Sequence, residues 1–104
     1  LVPPVEPEYA RSNWQSYCVR LPEGVDQAVV LQKLLDRGVG AKQGVMNAHT
    51  ERAYATTQAW RATDAGLAVG EQVQARCILL PLYPTMGGGA VDSVIAALAA
   101  VLSA

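Results

Sequence analysis

Charge is what this sequence has least of. Charged residues fill 16% of its 104 positions, where ordinary soluble domains carry about 25%. The net charge is −1 and no basic run occurs, which argues against nucleic acid as a partner. Only two cysteines are present, Cys18 and Cys77, without CxxC or CxxxH company. They read as free, mostly buried thiols in a reducing, cytoplasmic setting. A disulfide between them stays open but is not the expectation. No run is long and apolar enough to span a membrane. The start, LVPPVEPEYARSN, lacks the basic and apolar regions of a signal peptide. It also lacks an initiator Met, as in a processed chain or a piece of a longer one. Histidine occurs once, as His49, and lysine twice, as Lys33 and Lys42.

What is abundant is apolar: hydrophobic residues make up 51%. Two explanations stand side by side: surface normally covered by another chain or domain, or a count inflated by alanine. The length suits one domain with one core.

Residues 1–12, with Pro3, Pro4 and Pro7, cannot pair as a central strand and read as an extended linker. The domain then runs over 13–104. Asn13–Leu21 alternates, with Tyr17, Val19 and Leu21 facing one way and Trp14, Cys18 and Arg20 the other, which predicts a strand. Asp26 is placed to cap a helix that ends at Gly38, where a left-handed residue is needed. Ala28, Leu31, Leu34 and Leu35 are its expected inner face. Val39–Val45 predicts a second strand, with Gly40, Lys42 and Gly44 on the side where another backbone can approach closely. Asn47–Gly66 is irregular apart from one helical turn at Glu51–Ala55, and long loops in small domains are functional or mobile. Ala68–Arg76 predicts a short helix, with Val69, Val73 and Arg76 spaced along it. Ile78–Leu80 predicts a strand stopped by Pro81 and Pro84. Ala90–Leu102 presents Val91, Val94, Ile95, Leu98, Val101 and Leu102 at intervals of three and four, an amphipathic helix. The order is β-α-β-loop-α-β-α. It predicts an α+β two-layer sandwich, a three- to four-stranded sheet with helices on one face.

Five segments in this order carry a family resemblance: Trp14 to Tyr17, Leu34 to Val39, His49, the LPLYP of Leu80 to Pro84, and Val91 to Ile95. Together they resemble the C-terminal region of the DegT/DnrJ/StrS sugar aminotransferases, pyridoxal-phosphate enzymes of the aspartate aminotransferase fold. The likeness covers Asn13 to Leu102. One departure is Gly87–Gly89, where relatives commonly have a Ser/Thr cap followed by acidic residues. The family's cofactor lysine, its pyridine-pairing aspartate and its phosphate-binding residues belong to a large N-terminal domain with no counterpart in these segments.

The resemblance therefore implies no catalytic, cofactor or metal residue in this chain, with pyridoxal phosphate held elsewhere in a parent enzyme. The implied partners are an N-terminal catalytic domain or a homo-oligomer partner, and a sugar nucleotide as ligand. Read by itself, His49 has no neighbouring Cys, Asp or second His for a metal site or triad; a structural or exposed loop residue is the expectation, with a substrate contact the alternative. The resemblance places its loop near the substrate. Gln43, Asn47, His49 and Tyr54 are the candidate substrate contacts. As a Schiff-base lysine Lys42 would need a desolvated site or a neighbouring cation and a cofactor pocket; a solvated lysine on a strand is the expectation. Gly87–Gly89 lacks the lysine and hydroxyl of a P-loop. The alternative is a stand-alone interaction or oligomerisation module of the same fold, without catalysis.

Overall fold

The computed structural model describes residues 1–57 and 59–103. Three short strands form the sheet: β1 (Tyr17–Arg20), β2 (Lys42–Gln43) and β3 (Cys77–Leu80). β3 is central and antiparallel to both neighbours, in the order β1-β3-β2. The register pairs Tyr17 with Leu80 and Arg20 with Cys77, and sets Lys42 opposite Leu79. Four helices accompany the sheet: α1 (Gln27–Leu35), α2 (Arg52–Ala55), α3 (Ala68–Arg76) and α4 (Gly88–Leu102). This is the α+β sandwich that the alternation of elements predicts. No described helix is long and apolar enough to cross a membrane.

The core lies between the sheet and the pair α1 and α4. Val19, Leu21 and Ile78 pack against Val30 and Leu34 of α1, Val39, and Ala97, Leu98 and Val101 of α4. Leu21, Leu34 and Ile78 are fully buried, so truncating any of them to Ala costs about 2–5 kcal/mol in transfer and cavity terms. The period of two holds in β1: Val19 is buried while Arg20 is exposed. Because partners alternate faces, the opposite face carries Cys18, Arg20, Cys77, Leu79 and Lys42.

Helix α1 starts where Asp26 accepts the amides of Ala28 and Val29 at 2.8 and 3.1 Å. It stops at Leu35, and Gly38 at φ 77° turns the chain so that the Val39 amide bonds back to Leu34. The inner stripe of α1 differs from the expected one. Val30 and Leu34 are buried and Leu31 is packed on the core, whereas Ala28 and Leu35 are exposed. The winning set is 27, 30, 31 and 34, a stripe whose first member is the polar Gln27. That side chain is used inward, its amide donating to the carbonyls of Gln74 and Cys77 at 2.9 and 2.7 Å.

Both outer strands are shorter than Asn13–Leu21 and Val39–Val45. Ahead of β1, the Ser12 hydroxyl accepts the Trp14 amide at 3.1 Å and the Asn13 side chain accepts the Gln15 amide at 3.2 Å. These local bonds offer the backbone an alternative to the ladder, and Trp14 takes a positive φ of 50°. Beyond β2, the Gly44 amide still bonds the Cys77 carbonyl at 2.8 Å. Further upstream, Val2 bridges Arg20 through two 2.9 Å bonds, so part of the proline-rich segment lies along the outer edge of β1. Helix α4 begins at Gly88, two residues ahead of the expected Ala90, with Gly87 as a cap that offers no side-chain bond.

Candidate functional site

The loop after β2 is tied to α3 by a polar cluster. A 3-10 turn at Ala48–Thr50 follows Asn47. The Asn47 side-chain amide donates to the Gly70 carbonyl at 2.8 Å and to Gln74 Oε1 at 2.6 Å. Its main-chain N–H reaches the same Gln74 oxygen at 3.0 Å. The Thr50 hydroxyl sits 2.8 Å from the Asn47 carbonyl and 3.2 Å from Gln74 Oε1. Gln43 adds a long bond of 3.4 Å to the Gln74 carbonyl. Gly70 allows this approach: a Cβ there would meet Asn47 Oδ1 at 2.9 Å.

His49 extends the cluster outward. Its Nε2 lies 2.8 Å from Glu71 Oε1, and its ring tilts against Trp60 with centroids 5.2 Å apart. The His49 side chain is 12% exposed and that of Glu71 54%. An ionised carboxylate only accepts, so Nε2 carries the hydrogen and a neutral His49 presents Nδ1 as an acceptor. Such a ring can accept a hydroxyl hydrogen from a ligand, or donate from both nitrogens once protonated. Tyr54 is on α2, 48% exposed.

Three of the expected residues, Gln43, Asn47 and His49, are thus brought together around α3, while Tyr54 stands apart with no side-chain bond among the described residues. The cluster's other half, Glu71, Gln74 and Trp60, is missing from the sequence reading. A signal existed. Gly70 and Gln74 are four apart and Glu71 and Gln74 three apart on α3, so the three share one small and polar side of the helix.

Neither lysine fits a pyridoxal-phosphate pocket. Lys42 is exposed on the outer face of β2, where it borders an open hollow of about 270 Å³ that holds no other charged side chain among its lining residues. Lys33 borders a hollow of about 130 Å³ between α1 and α4, lined by Val25, Val29, Val30 and Val101. Small-molecule sites are larger, about 300–1,000 Å³. Among the described residues no group of three or more metal-ligating side chains occurs.

The sequence profile of the DegT/DnrJ/EryC1/StrS aminotransferase family matches residues 1–99. The chain belongs to this family. Solved structures agree in fold. A DegT DnrJ EryC1 StrS aminotransferase from Brucella abortus superposes with a TM-score of 0.81 at 21% identity, over 99% of this chain and 26% of its own. The aminotransferase TlmJ from Streptoalloteichus hindustanus gives 0.76 at 25% identity, over 96% of this chain and 25% of its own. Spr1654 from Streptococcus pneumoniae, described as a sugar aminotransferase and solved in its PMP form, gives 0.66 at 18% identity over 85% and 22%. This DegT-family chain therefore spans about a quarter of the length of the solved aminotransferases it matches. Family aminotransferases use pyridoxal phosphate, which supplies the electron sink for amino transfer.

Proposed function

We propose that this DegT-family chain is the small C-terminal lobe of a pyridoxal-phosphate enzyme that moves an amino group from glutamate to a keto-sugar nucleotide in the cytoplasm. The observation that carries the reading is the family match over residues 1–99 combined with coverage of only a quarter of the matching enzymes. In this reading the cofactor is held by an N-terminal catalytic domain or an oligomeric partner, and the isolated chain does not turn over. His49, backed by Glu71 and Trp60, offers its remaining ring nitrogen to the substrate. Asn47 and Gln43 fix the loop on α3, and Tyr54 adds an exposed phenol from α2.

The test mixes the purified chain with pyridoxal phosphate, alone and with a cofactor-loaded large lobe of a family member. Glutamate and a panel of keto-sugar nucleotides are then added. Amino transfer is expected only in the mixture, and His49→Ala is expected to raise KM for the sugar nucleotide. A Schiff-base absorbance band from the chain alone would sink the reading, as would turnover in the mixture that ignores the chain.

A further inference from the structure

The sheet has two edges, and they differ. On one side it ends with β2, only 2 residues long, too short an edge to template another strand. On the other it ends with β1, 4 residues long, whose single charge is Arg20. An antiparallel strand sends the main-chain groups of alternate residues to opposite sides. The Leu21 amide bonds inward to the Arg76 carbonyl at 2.7 Å, and the Arg20 amide bonds outward to the Val2 carbonyl at 2.9 Å. Cys18 is in phase with Arg20, so its N–H and C=O also point outward.

Residues 1–12 lie along this outer edge. Val2 both donates to and accepts from Arg20, each bond 2.9 Å. In that register Pro4 falls opposite Cys18, and proline has no N–H to give. Among the described residues no main-chain bond joins Cys18 to the segment, so pairing stops after one bridge. A turn then carries the chain back toward β1. In it the Ala10 amide bonds the Pro7 carbonyl at 3.1 Å, and the Glu6 carboxylate accepts the Ser12 amide at 2.9 Å and pairs with Arg11 at 3.5 Å. Val5 and Tyr9 are 81% and 92% exposed, so polar bonds rather than apolar burial hold the segment down.

We propose that residues 1–12 are a removable cover on the β1 edge, and that the strand they keep out is β1 of a second copy of this chain. The outward groups of β1 are self-complementary. Two copies laid antiparallel, with Cys18 of each opposite Arg20 of the other, pair every outward N–H and C=O at these two positions. The same register sets Val19 beside Val19 on the core face, a favourable cross-strand pair. The cover satisfies Arg20 alone, whereas an incoming strand satisfies Cys18 as well. The cover prevails because it is tethered to the edge it protects and competes at high effective concentration. Once it lifts, β1 is an open edge of the kind that templates pairing.

The whole chain is compared in several forms by sedimentation over a concentration series and by amide hydrogen exchange. Val2→Pro deletes the N–H that bonds the Arg20 carbonyl, and Glu6→Ala releases the turn from Ser12 and Arg11. Glu8→Ala, at an exposed position of the same turn, is the control. Arg20→Pro, added to Val2→Pro, removes an outward amide and leaves the ladder to β3 intact. Circular dichroism confirms that each form is folded, and the two cover-lifting variants test the edge separately. Wild type and Glu8→Ala are expected to show a protected Arg20 amide and a freely exchanging Cys18 amide. Val2→Pro and Glu6→Ala are expected to self-associate about tenfold more tightly than wild type or better, with the Cys18 amide now protected. Adding Arg20→Pro is expected to undo that association. Cover-lifted forms that associate no more than wild type overturn the proposal, as does a dimer that survives Arg20→Pro.

Discussion

His49 and Glu71 meet at 2.8 Å across a sequence separation of 22 residues, between Nε2 and Oε1. The contact fastens a loop with no buried side chain in its 3-10 turn or in α2 to a helix that also buries none. With so little apolar packing, polar bonds decide whether this region is ordered. The contact is a hydrogen bond from Nε2 to the carboxylate, and an intramolecular bond of this kind contributes about 0.5–1.5 kcal/mol net. Glu71→Gln keeps an acceptor and Glu71→Ala removes it. The alanine variant is expected to raise hydrogen exchange at Thr50, Glu51 and Tyr54 while leaving β1 and β3 protected, with the glutamine variant in between. Uniform loss of protection across the chain would contradict a local latch.

Gly44 is the tightest point in the sheet. A Cβ at this position would stand 2.9 Å from Cys18 Sγ and 2.9 Å from both the carbonyl carbon and oxygen of Cys77. The sulfur could swing away, but the Cys77 backbone is central strand and cannot. Gly44→Ala is therefore expected to cost about 1–3 kcal/mol by overpacking, read as a lower urea midpoint. Combining it with Cys18→Ala should recover only part of the loss. Full recovery would mean that the sulfur alone is the obstacle.

Local signals made much of this fold legible. Asp26 before an apolar stretch, Gly38 after it, and the alternation Tyr17, Val19, Leu21 each report a local rule that tertiary packing leaves intact. The strand limits were not legible, because Ser12 and Asn13 divert the backbone before β1 by bonds whose geometry a residue pattern does not encode. The inner stripe of α1 was misjudged for a related reason: Gln27 looks like a surface residue until the carbonyls of Gln74 and Cys77 are in place. Half of the candidate site was visible as Asn47 and His49 in a loop of unusual length. The other half sits at Trp60 and on α3, the latter 22 to 27 residues onward, and only the fold brings it there.

Cys18 and Cys77 are both free, and they share the outer sheet face. Burial, followed by the neighbouring Cys77 thiol and a hydrogen bond to it, pushes the Cys18 thiol above its ordinary range. A thiol whose folded value is raised favours the neutral form. It stabilises the fold in full below the unfolded value, and that contribution is lost as pH rises through the folded one. Alkylation of Cys18 by iodoacetamide at mildly alkaline pH should thus be slower than that of a free thiol. Cys77, buried, should label only on unfolding. Mass spectrometry after peptide digestion separates the two sites. Labelling of Cys18 at the rate of glutathione would refute the shift.

The start of α4 offers a gain. Gly88 and Gly89 lie in its first turn, and a Cβ at either meets nothing within 4 Å. Both have negative φ, since the described positive-φ glycines are Gly24, Gly38 and Gly66. Alanine there reduces the freedom of the unfolded chain and strains nothing in the folded one. Each replacement is expected to add about 0.4–1 kcal/mol. A helix whose C-terminal half carries Ala97, Leu98 and Val101 into the core transmits that gain to the whole domain. The urea midpoint of the Gly88→Ala, Gly89→Ala double variant should rise with an unchanged slope. A midpoint that stays put would show that the first turn is already detached from the cooperative unit.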